Sequence, residues 1–97
     1  MYAVIFRATV GELDQQYSAT IERMKKLAFE EYGCLEFFAL MEGERRVAIS
    51  YWSCEDDIRR WKRNSEHLNA QAQGKEKWYE SYTVQVVEVQ REYSHST

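Results

Sequence analysis

The apolar residues in the first third of the chain predict two elements, a strand followed by a helix. Residues 2–10 are rich in β-branched and aromatic side chains and stop at Gly11, which predicts a first β-strand. Over residues 13–32 the apolar positions recur every three or four residues with charged side chains between them, which predicts a long amphipathic helix. Gly33 follows directly, at the place where many helices end in a left-handed glycine.

Three more strands are predicted from apolar runs in the rest of the chain. Residues 34–41 and 45–52 are two such runs on either side of a short glycine-containing loop, which predicts an antiparallel hairpin. Residues 82–93 form the last run. Its valines change face between Val86 and Val87, which predicts a bulge or a long strand that leaves its own sheet.

Two helical pieces separate the third strand from the last. Ser53 with Asp56 three residues later resembles a capping box, which predicts that a helix begins just after the strand. Ser65 is placed to cap a further helical piece, which carries His67. Gly74 weakens that piece by about 1 kcal/mol relative to alanine, so we expect close packing or a bend there.

The order strand, helix, strand, strand, helix, strand is that of the ferredoxin-like βαββαβ arrangement. It predicts an α+β fold with a four-stranded antiparallel sheet and the helices on one face. The strands are apolar on both faces, and about 400 Å² of contiguous exposed apolar surface is already unusual for a monomer. We therefore expect a homodimer in which two sheets pack together as a dimeric α+β barrel. Residues 1–97 are expected to form one domain, with an ordered core over 2–93 and a loose tail over 94–97.

Composition and charge exclude several classes of protein. With 44% hydrophobic and 14% aromatic residues, the 97-residue chain is too apolar to be disordered. The formal net charge of -3 offers no basic excess to neutralise nucleic-acid phosphates. No run approaches the roughly 18 apolar residues of a membrane span, and the N-terminus lacks a signal-peptide pattern. The sequence thus predicts a cytoplasmic protein with neither a nucleic-acid nor a membrane partner.

Three segments carry a resemblance to a known family. They are I-S-Y-W-S-C-E-D-D-I-R-R-W, S-E-H-L-N-A-Q-A-Q-G-K-E-K-W-Y and Y-T-V-Q-V-V-E-V. Together with the element order, they make residues 2–93 resemble the antibiotic-biosynthesis-monooxygenase-like family of dimeric α+β barrels. The resemblance implies, for some members, oxygenation of aromatic polyketides by molecular oxygen without a cofactor. Other members degrade haem, isomerise their substrate or have no assigned activity.

The haem-degrading branch of the family uses an Asn, a Trp and a His, and the chain matches only one of them. Trp61 stands at the position of the Trp, whereas Arg7 and Gln71 occupy the positions of the Asn and the His. These two departures argue against haem degradation.

The resemblance places a pocket between the helices and the sheet, and six residues are predicted to form it. His67 is the predicted catalytic residue, because an imidazole with a pKa near 6.5 can act as a general base or bond a substrate oxygen. Its alternative is a partly exposed histidine bonded to the backbone or to Glu66. The predicted substrate-binding residues are Arg7, Phe38, Trp52, Trp61 and Trp78. For the tryptophans the alternative is plain core, and for Arg7 it is an ion pair at the sheet edge.

Metal and nucleotide cofactors are not predicted, since no second His or Cys stands at ligand spacing from His67 and no glycine-rich phosphate loop is present. We expect a cofactor-independent monooxygenase-like oxidoreductase that acts on a small aromatic or quinol-type substrate. The alternative is a homodimer of the same fold that binds a ligand, or has a structural role, without catalysis. A His67 side chain that faces a cavity favours the first, and one on the outer helix face favours the second.

Overall fold

A computed structural model describes the backbone of residues 1–97 and every side chain except that of Ser65. Within this described chain there are four strands, three α-helices and one π-helical segment. The strands are β1 (Tyr2–Val10), β2 (Cys34–Glu42), β3 (Arg45–Trp52) and β4 (Tyr79–Glu88). The helices are α1 (Gln15–Glu31), α2 (Glu55–Arg63) and α3 (Ser65–Gln73), and Gly74–Trp78 forms the π-helical segment.

The four strands form one antiparallel sheet in the order β2-β3-β1-β4. The helices cover one face of this sheet, where Met24 and Leu27 of α1 and Ile58 of α2 share a buried cluster with Val4 and Trp52 of the sheet. The predicted ferredoxin-like α+β architecture is therefore confirmed. Among the described residues, no helix has the length and apolar character needed to cross a membrane.

The ends of α1 follow from local chemistry. Asp14 precedes the helix, and its Oδ1 accepts a hydrogen bond from the backbone N–H of Tyr17 over 3.1 Å. After the helix, Gly33 has a φ of 77°, a conformation that a side chain makes costly. The glycine cap predicted at this position is confirmed.

Of the two helix caps predicted for the second half of the chain, the one at the start of α2 is wrong. Cys54, not Ser53, precedes α2 and makes no side-chain cap bond, so the predicted capping box with Asp56 does not form. Three acidic residues in the first turn instead suit the positive end of the helix dipole. Asn64 caps α3, since its Oδ1 accepts from two backbone N–H groups of the first turn. The predicted cap by Ser65 falls on a side chain outside the described residues.

The last strand differs from its prediction at both ends. It begins at Tyr79 rather than residue 82 and ends at Glu88 rather than residue 93. The register shift lies opposite Thr9 and Val10, not at the valines, so β4 simply alternates, with Val86 toward the helices and Val87 away from them. The bulge predicted between Val86 and Val87 is absent because valines simply occupy both faces at this end of the strand.

A bulge in β2 decides which side chains face the helices. The pairing of β2 with β3 shifts between Cys34 and Glu36, so Cys34 and Phe37 both pack toward the helical side. Phe38 consequently points to the other face, which we call the open face. Its exposed apolar residues include Phe38, Leu40, Val47 and Val87.

Candidate active site

A cavity of about 120 Å³ lies between the helical side of the sheet and the helices α1, α2 and α3. Phe6 and Tyr82 form part of its floor, with their rings stacked at a centroid distance of 5.6 Å. Met24, Trp61 and His67 belong to the opposite wall. An apolar, largely aromatic cavity with few polar groups is the usual form of a small-molecule site.

His67 and Trp61 contact each other in the cavity wall through ring stacking and a hydrogen bond. Their rings are stacked at a centroid distance of 4.3 Å and an interplanar angle of 24°. Nδ1 of His67 lies 3.2 Å from the backbone oxygen of Trp61. Because a carbonyl oxygen only accepts, Nδ1 must carry the proton of this bond. In the neutral ring the lone pair is therefore on Nε2.

The surroundings of His67 favour its neutral form. Burial lowers the pKa of the imidazole below its usual value, since the charged form loses its water. The bond to the Trp61 carbonyl raises the pKa, and the charge of Lys62 lowers it further. The net direction is downward, so His67 is predominantly neutral at pH 7 and able to accept a proton on Nε2.

Trp61 combines deep burial with an unused donor. Its ring lies 5.2 Å from that of Trp52 and 6.5 Å from that of Phe37, measured between centroids. Its Nε1 is buried and has no hydrogen-bond partner among the described residues. A buried donor without an acceptor costs about 1–3 kcal/mol. Nε1 is buried from the cavity as well as from solvent, so a ligand oxygen would reach it only after neighbouring side chains move.

Trp78, the last residue of the π-helical segment, and Tyr79, the first residue of β4, form a further part of the wall. Trp78 is buried and donates from Nε1 to Oδ1 of Asp14 over 3.1 Å, so it serves the core and the cavity together. Tyr79 donates its hydroxyl to that of Tyr17 over 3.2 Å, and burial raises the pKa of Tyr79. A Cβ on Gly74 would lie 2.9 Å from the Tyr79 ring, so glycine is what lets this ring sit there.

One guanidinium lines the otherwise apolar cavity. Arg46 of β3 points to the helical side, opposite Ala8 of β1 and Met41 of β2. Its Cζ lies 5.6 Å from the centroid of the Tyr17 ring, a cation–π arrangement that holds the side chain. Arg46 is thus a candidate for contact with an anionic ligand group.

The predicted site residues separate into two groups. Trp61, His67 and Trp78 meet at the cavity, although their roles in binding or catalysis stay predictions. Trp52 lies one layer deeper, fully buried beneath Trp61, with its Nε1 bonded to Ser50. Trp52 does not line the cavity, and this placement matches the core alternative.

Arg7 and Phe38 are predicted pocket residues that the structure places elsewhere. Both point to the open face, where Arg7 stands opposite Val47 and Phe38 opposite Ile49. Neither lines the cavity, so the structure does not bring these two residues to the site where they were expected. For Phe38 the reason is the bulge that precedes it. For Arg7 the reason is that both faces of β1 are apolar, which left its direction undetermined.

Sequence reasoning missed several wall residues. They are Phe6, Arg46, Tyr79 and Tyr82. Strand alternation could have found Arg46, because it shares a face of β3 with Ala48, Ser50 and Trp52. Among the described residues, no group of three or more His, Cys, Asp or Glu side chains is arranged to hold a metal ion.

Solved structures show which class of protein has this fold. A variant of SnoaB, a cofactor-independent oxygenase from Streptomyces nogalater, superposes with a TM-score of 0.81 at 15% identity and 97% coverage of both chains. Rv0793 from Mycobacterium tuberculosis gives 0.81 at 21% identity, over 96% of this chain and 98% of that one. A putative antibiotic biosynthesis monooxygenase from Nitrosomonas europaea gives 0.76 at 17% identity, over 94% and 100%. The chain has the fold of the antibiotic biosynthesis monooxygenase-like proteins, which confirms the resemblance at the level of the fold.

Sequence identity connects the chain to a narrower group. The chain is 40% identical over 92 residues to the uncharacterized protein YqjZ of Bacillus subtilis (strain 168), across 94% of this chain and 81% of that protein. It belongs to the same family as YqjZ. No protein-family model matches the chain.

Proposed function

We propose that this protein is a cofactor-independent monooxygenase-like oxidoreductase that acts on a small aromatic or quinol-type substrate. The observation that carries the proposal is the stacked pair of His67 and Trp61 in the wall of an apolar cavity. The pair offers a base on Nε2 and a buried donor on the indole. The shared fold with SnoaB, a named cofactor-independent oxygenase, supports the same class of reaction.

The reaction begins with proton transfer to Nε2 of His67 from a phenolic hydroxyl of the substrate. The resulting anion gives one electron to molecular oxygen, and the substrate radical then combines with superoxide to form a peroxide. His67 returns its proton to that peroxide. Loss of one water from a hydroquinone peroxide leaves a hydroxyquinone, so one atom of oxygen enters the product and the other leaves as water.

Trp61 and the aromatic walls support this step in different ways. Once neighbouring side chains move to expose it, the Nε1–H of Trp61 would donate to the substrate oxygen on which negative charge develops, and donors stabilise such charge most where water is excluded. Phe6, Trp78 and Tyr82 would keep water from the radical pair. The role of His67 is catalytic, and that of Trp61 is to bind and polarise the substrate.

The test is oxygen uptake with a panel of hydroquinones and anthrones, with the product identified by mass. His67→Gln is expected to lower turnover by about 10²–10⁴-fold, the usual contribution of a general base. His95→Gln is the matched control, because it alters the other histidine of the chain, outside the cavity. Wild-type turnover in a folded His67→Gln protein would remove His67 as the base.

The alternative function is ligand binding without catalysis. It is favoured by the contacts of His67 itself, since stacking on Trp61 and bonding to its carbonyl are sufficient reasons for a histidine at this position. Compounds of the panel that bind in the cavity but show no oxygen uptake would support this alternative.

We also propose that residues 2–93 act as one domain and that two copies pair through the open face. The support is the exposure of Phe38, Leu40 and Val47 on one side of the sheet. A cytoplasmic location fits the two free cysteines, buried Cys34 and exposed Cys54, because reduced thiols persist in a reducing compartment.

A further inference from the structure

The charges around the cavity are all of one sign. The charged side chains that line it, among those the structure describes, are Arg46 and Lys62. The chain as a whole is acidic, with 16 Asp and Glu against 13 Lys and Arg. None of the described carboxylates lines the cavity, so the cavity is more positive than the protein that encloses it.

Arg46 differs from the paired arginines of the helical layer, Arg23, Arg59 and Arg60, in having no carboxylate partner. Arg23 pairs with Glu66 at 2.8 Å and Arg60 with Asp57 at 2.7 Å. Arg46 makes no ion pair with any described side chain and is held only by the ring of Tyr17. A half-buried guanidinium without a counterion is unfavourable, and a bound carboxylate, with its matching planar geometry, would offset that cost.

The size of the cavity favours a ligand with one ring. A dry protein cavity of about 150 Å³ is known to hold a molecule of benzene. The volume here is about 120 Å³, with walls that include the rings of Phe6, Trp78 and Tyr82, and the cavity is partly open to solvent. A single six-membered ring is close to the size of this space, whereas three fused rings would extend well beyond it.

Charge and size together lead us to propose that the cavity binds a monocyclic aromatic acid, with its carboxylate paired to Arg46 and its ring among the aromatic walls. Lys62, on α2, adds to the positive potential of the cavity from the helical wall. For the proposed monooxygenase this names the substrate class, a hydroxylated single-ring acid, and that part rests on the proposed function. The binding preference itself does not depend on catalysis.

The experiment is calorimetric titration of the whole protein with 4-hydroxybenzoate and with its neutral isostere 4-hydroxybenzamide. The acid is expected to bind the wild type at least about tenfold more tightly, because the hydrogen bond to a charged partner is the stronger one. Arg46→Gln should remove this preference, because it weakens binding of the acid much more than binding of the amide. Arg46→Lys, which keeps the charge but not the paired geometry, should retain part of it.

Arg59→Gln is the matched control, since it makes the same change in net charge on an exposed residue of α2 outside the cavity. It should bind both compounds as the wild type does. Equal affinity of the wild type for acid and amide would overturn the proposal. So would a preference that survives in Arg46→Gln, tighter binding of a three-ring acid, or no binding of the single-ring acid at millimolar concentration.

Oxygen uptake measured in parallel separates this inference from the proposed function. Arg46-dependent binding of single-ring acids without turnover of any hydroxylated member would uphold the binding preference and count against the monooxygenase. Turnover of neutral hydroquinones without any preference for the acid would uphold the monooxygenase and overturn the anionic substrate class.

Discussion

The two faces of the sheet are built from the same strands but differ in how far their side chains are exposed to solvent. On the helical side Trp52 is 0% exposed, and the neighbouring side chains enclose a cavity. On the open face Phe38 is 42% exposed and Leu40 70%. The open face carries more polar residues, Arg7, Glu36 and Thr83 among them, but its apolar residues receive no cover from the helices. The helical side encloses the proposed small-molecule site, and the open face is the surface proposed for pairing with another copy of the chain.

The largest effect is expected from truncation on the helical side. Trp52→Ala should lower the free energy of unfolding by about 3–5 kcal/mol, because it leaves a cavity in the core. Phe38→Ala, on the open face, is the matched comparison and should cost less than half as much in a Leu40→Glu background, where the open faces do not pair. Denaturant unfolding of both variants in that background measures the difference. An equal loss for Phe38→Ala would mean that the open face is as tightly packed within one chain as the helical side.

The next largest effect concerns assembly. Leu40→Glu should convert a homodimer to single chains of 11.6 kDa, as read by sedimentation equilibrium. Removing two buried leucines from a symmetric interface costs at least about 3 kcal/mol, which is more than a hundredfold in the dissociation constant. Leu68→Glu changes an exposed leucine on α3 and should leave the assembly intact. A wild-type protein that sediments as one chain at micromolar concentration would contradict the pairing of open faces.

A smaller effect is expected where the helical side is packed most tightly. Gly74→Ala would bring Cβ to 2.9 Å from two ring carbons of Tyr79. Overpacking costs about 1–3 kcal/mol and the higher helix propensity of alanine recovers up to about 1 kcal/mol, so we expect a net loss of about 0.5–2 kcal/mol. Gly11→Ala, whose nearest neighbour would be 3.7 Å away, is the control. Thermal unfolding that gives equal shifts for the two variants would show that the Tyr79 ring moves freely.

The smallest effect is a loss of stability at low pH that comes from His67 on the helical side. The pKa of His67 is lower in the folded chain than in the unfolded one, mainly through burial and partly through Lys62. The unfolded state therefore binds the proton more readily below about pH 6.5, and stability falls as the pH drops toward the folded-state pKa. The difference in unfolding free energy between wild type and His67→Gln should decrease from pH 7.5 to 5. A constant or increasing difference would mean that His67 is not buried as a neutral ring.

The fold could be predicted from the sequence because each element carries its own local signal. Residues 45–52 match β3 in both bounds, and the glycine at 33 ends α1 as predicted. These features depend on side-chain period and backbone geometry, which neighbouring residues determine. The N-cap positions at Cys54 and Asn64 were missed because neighbouring residues, such as Ser53 and Ser65, suit a cap equally well in sequence. Tertiary packing decides where each helix begins.

The site was only half predictable, since its lining depends on which face of each strand meets the helices. Trp61 and His67 were found because both lie on helical pieces close together in sequence. Phe38 was misplaced by one residue because the β2 bulge leaves no distinct signal among consecutive apolar residues. Tyr79 was missed because a strand that follows directly on a π-helical segment has no loop residues to mark its start.

The π-helical segment also limits how the length of the chain can vary. The backbone N–H of Tyr79 bonds to the carbonyl of Gly74, five residues before it, so this turn holds one residue more than an α-helical turn. Deleting one residue here would restore the α-helical bond pattern and rotate the preceding helix by about 100° relative to β4. Alignments of relatives should therefore show gaps at the hairpin turn, residues 43–44, and none within Gly74–Trp78.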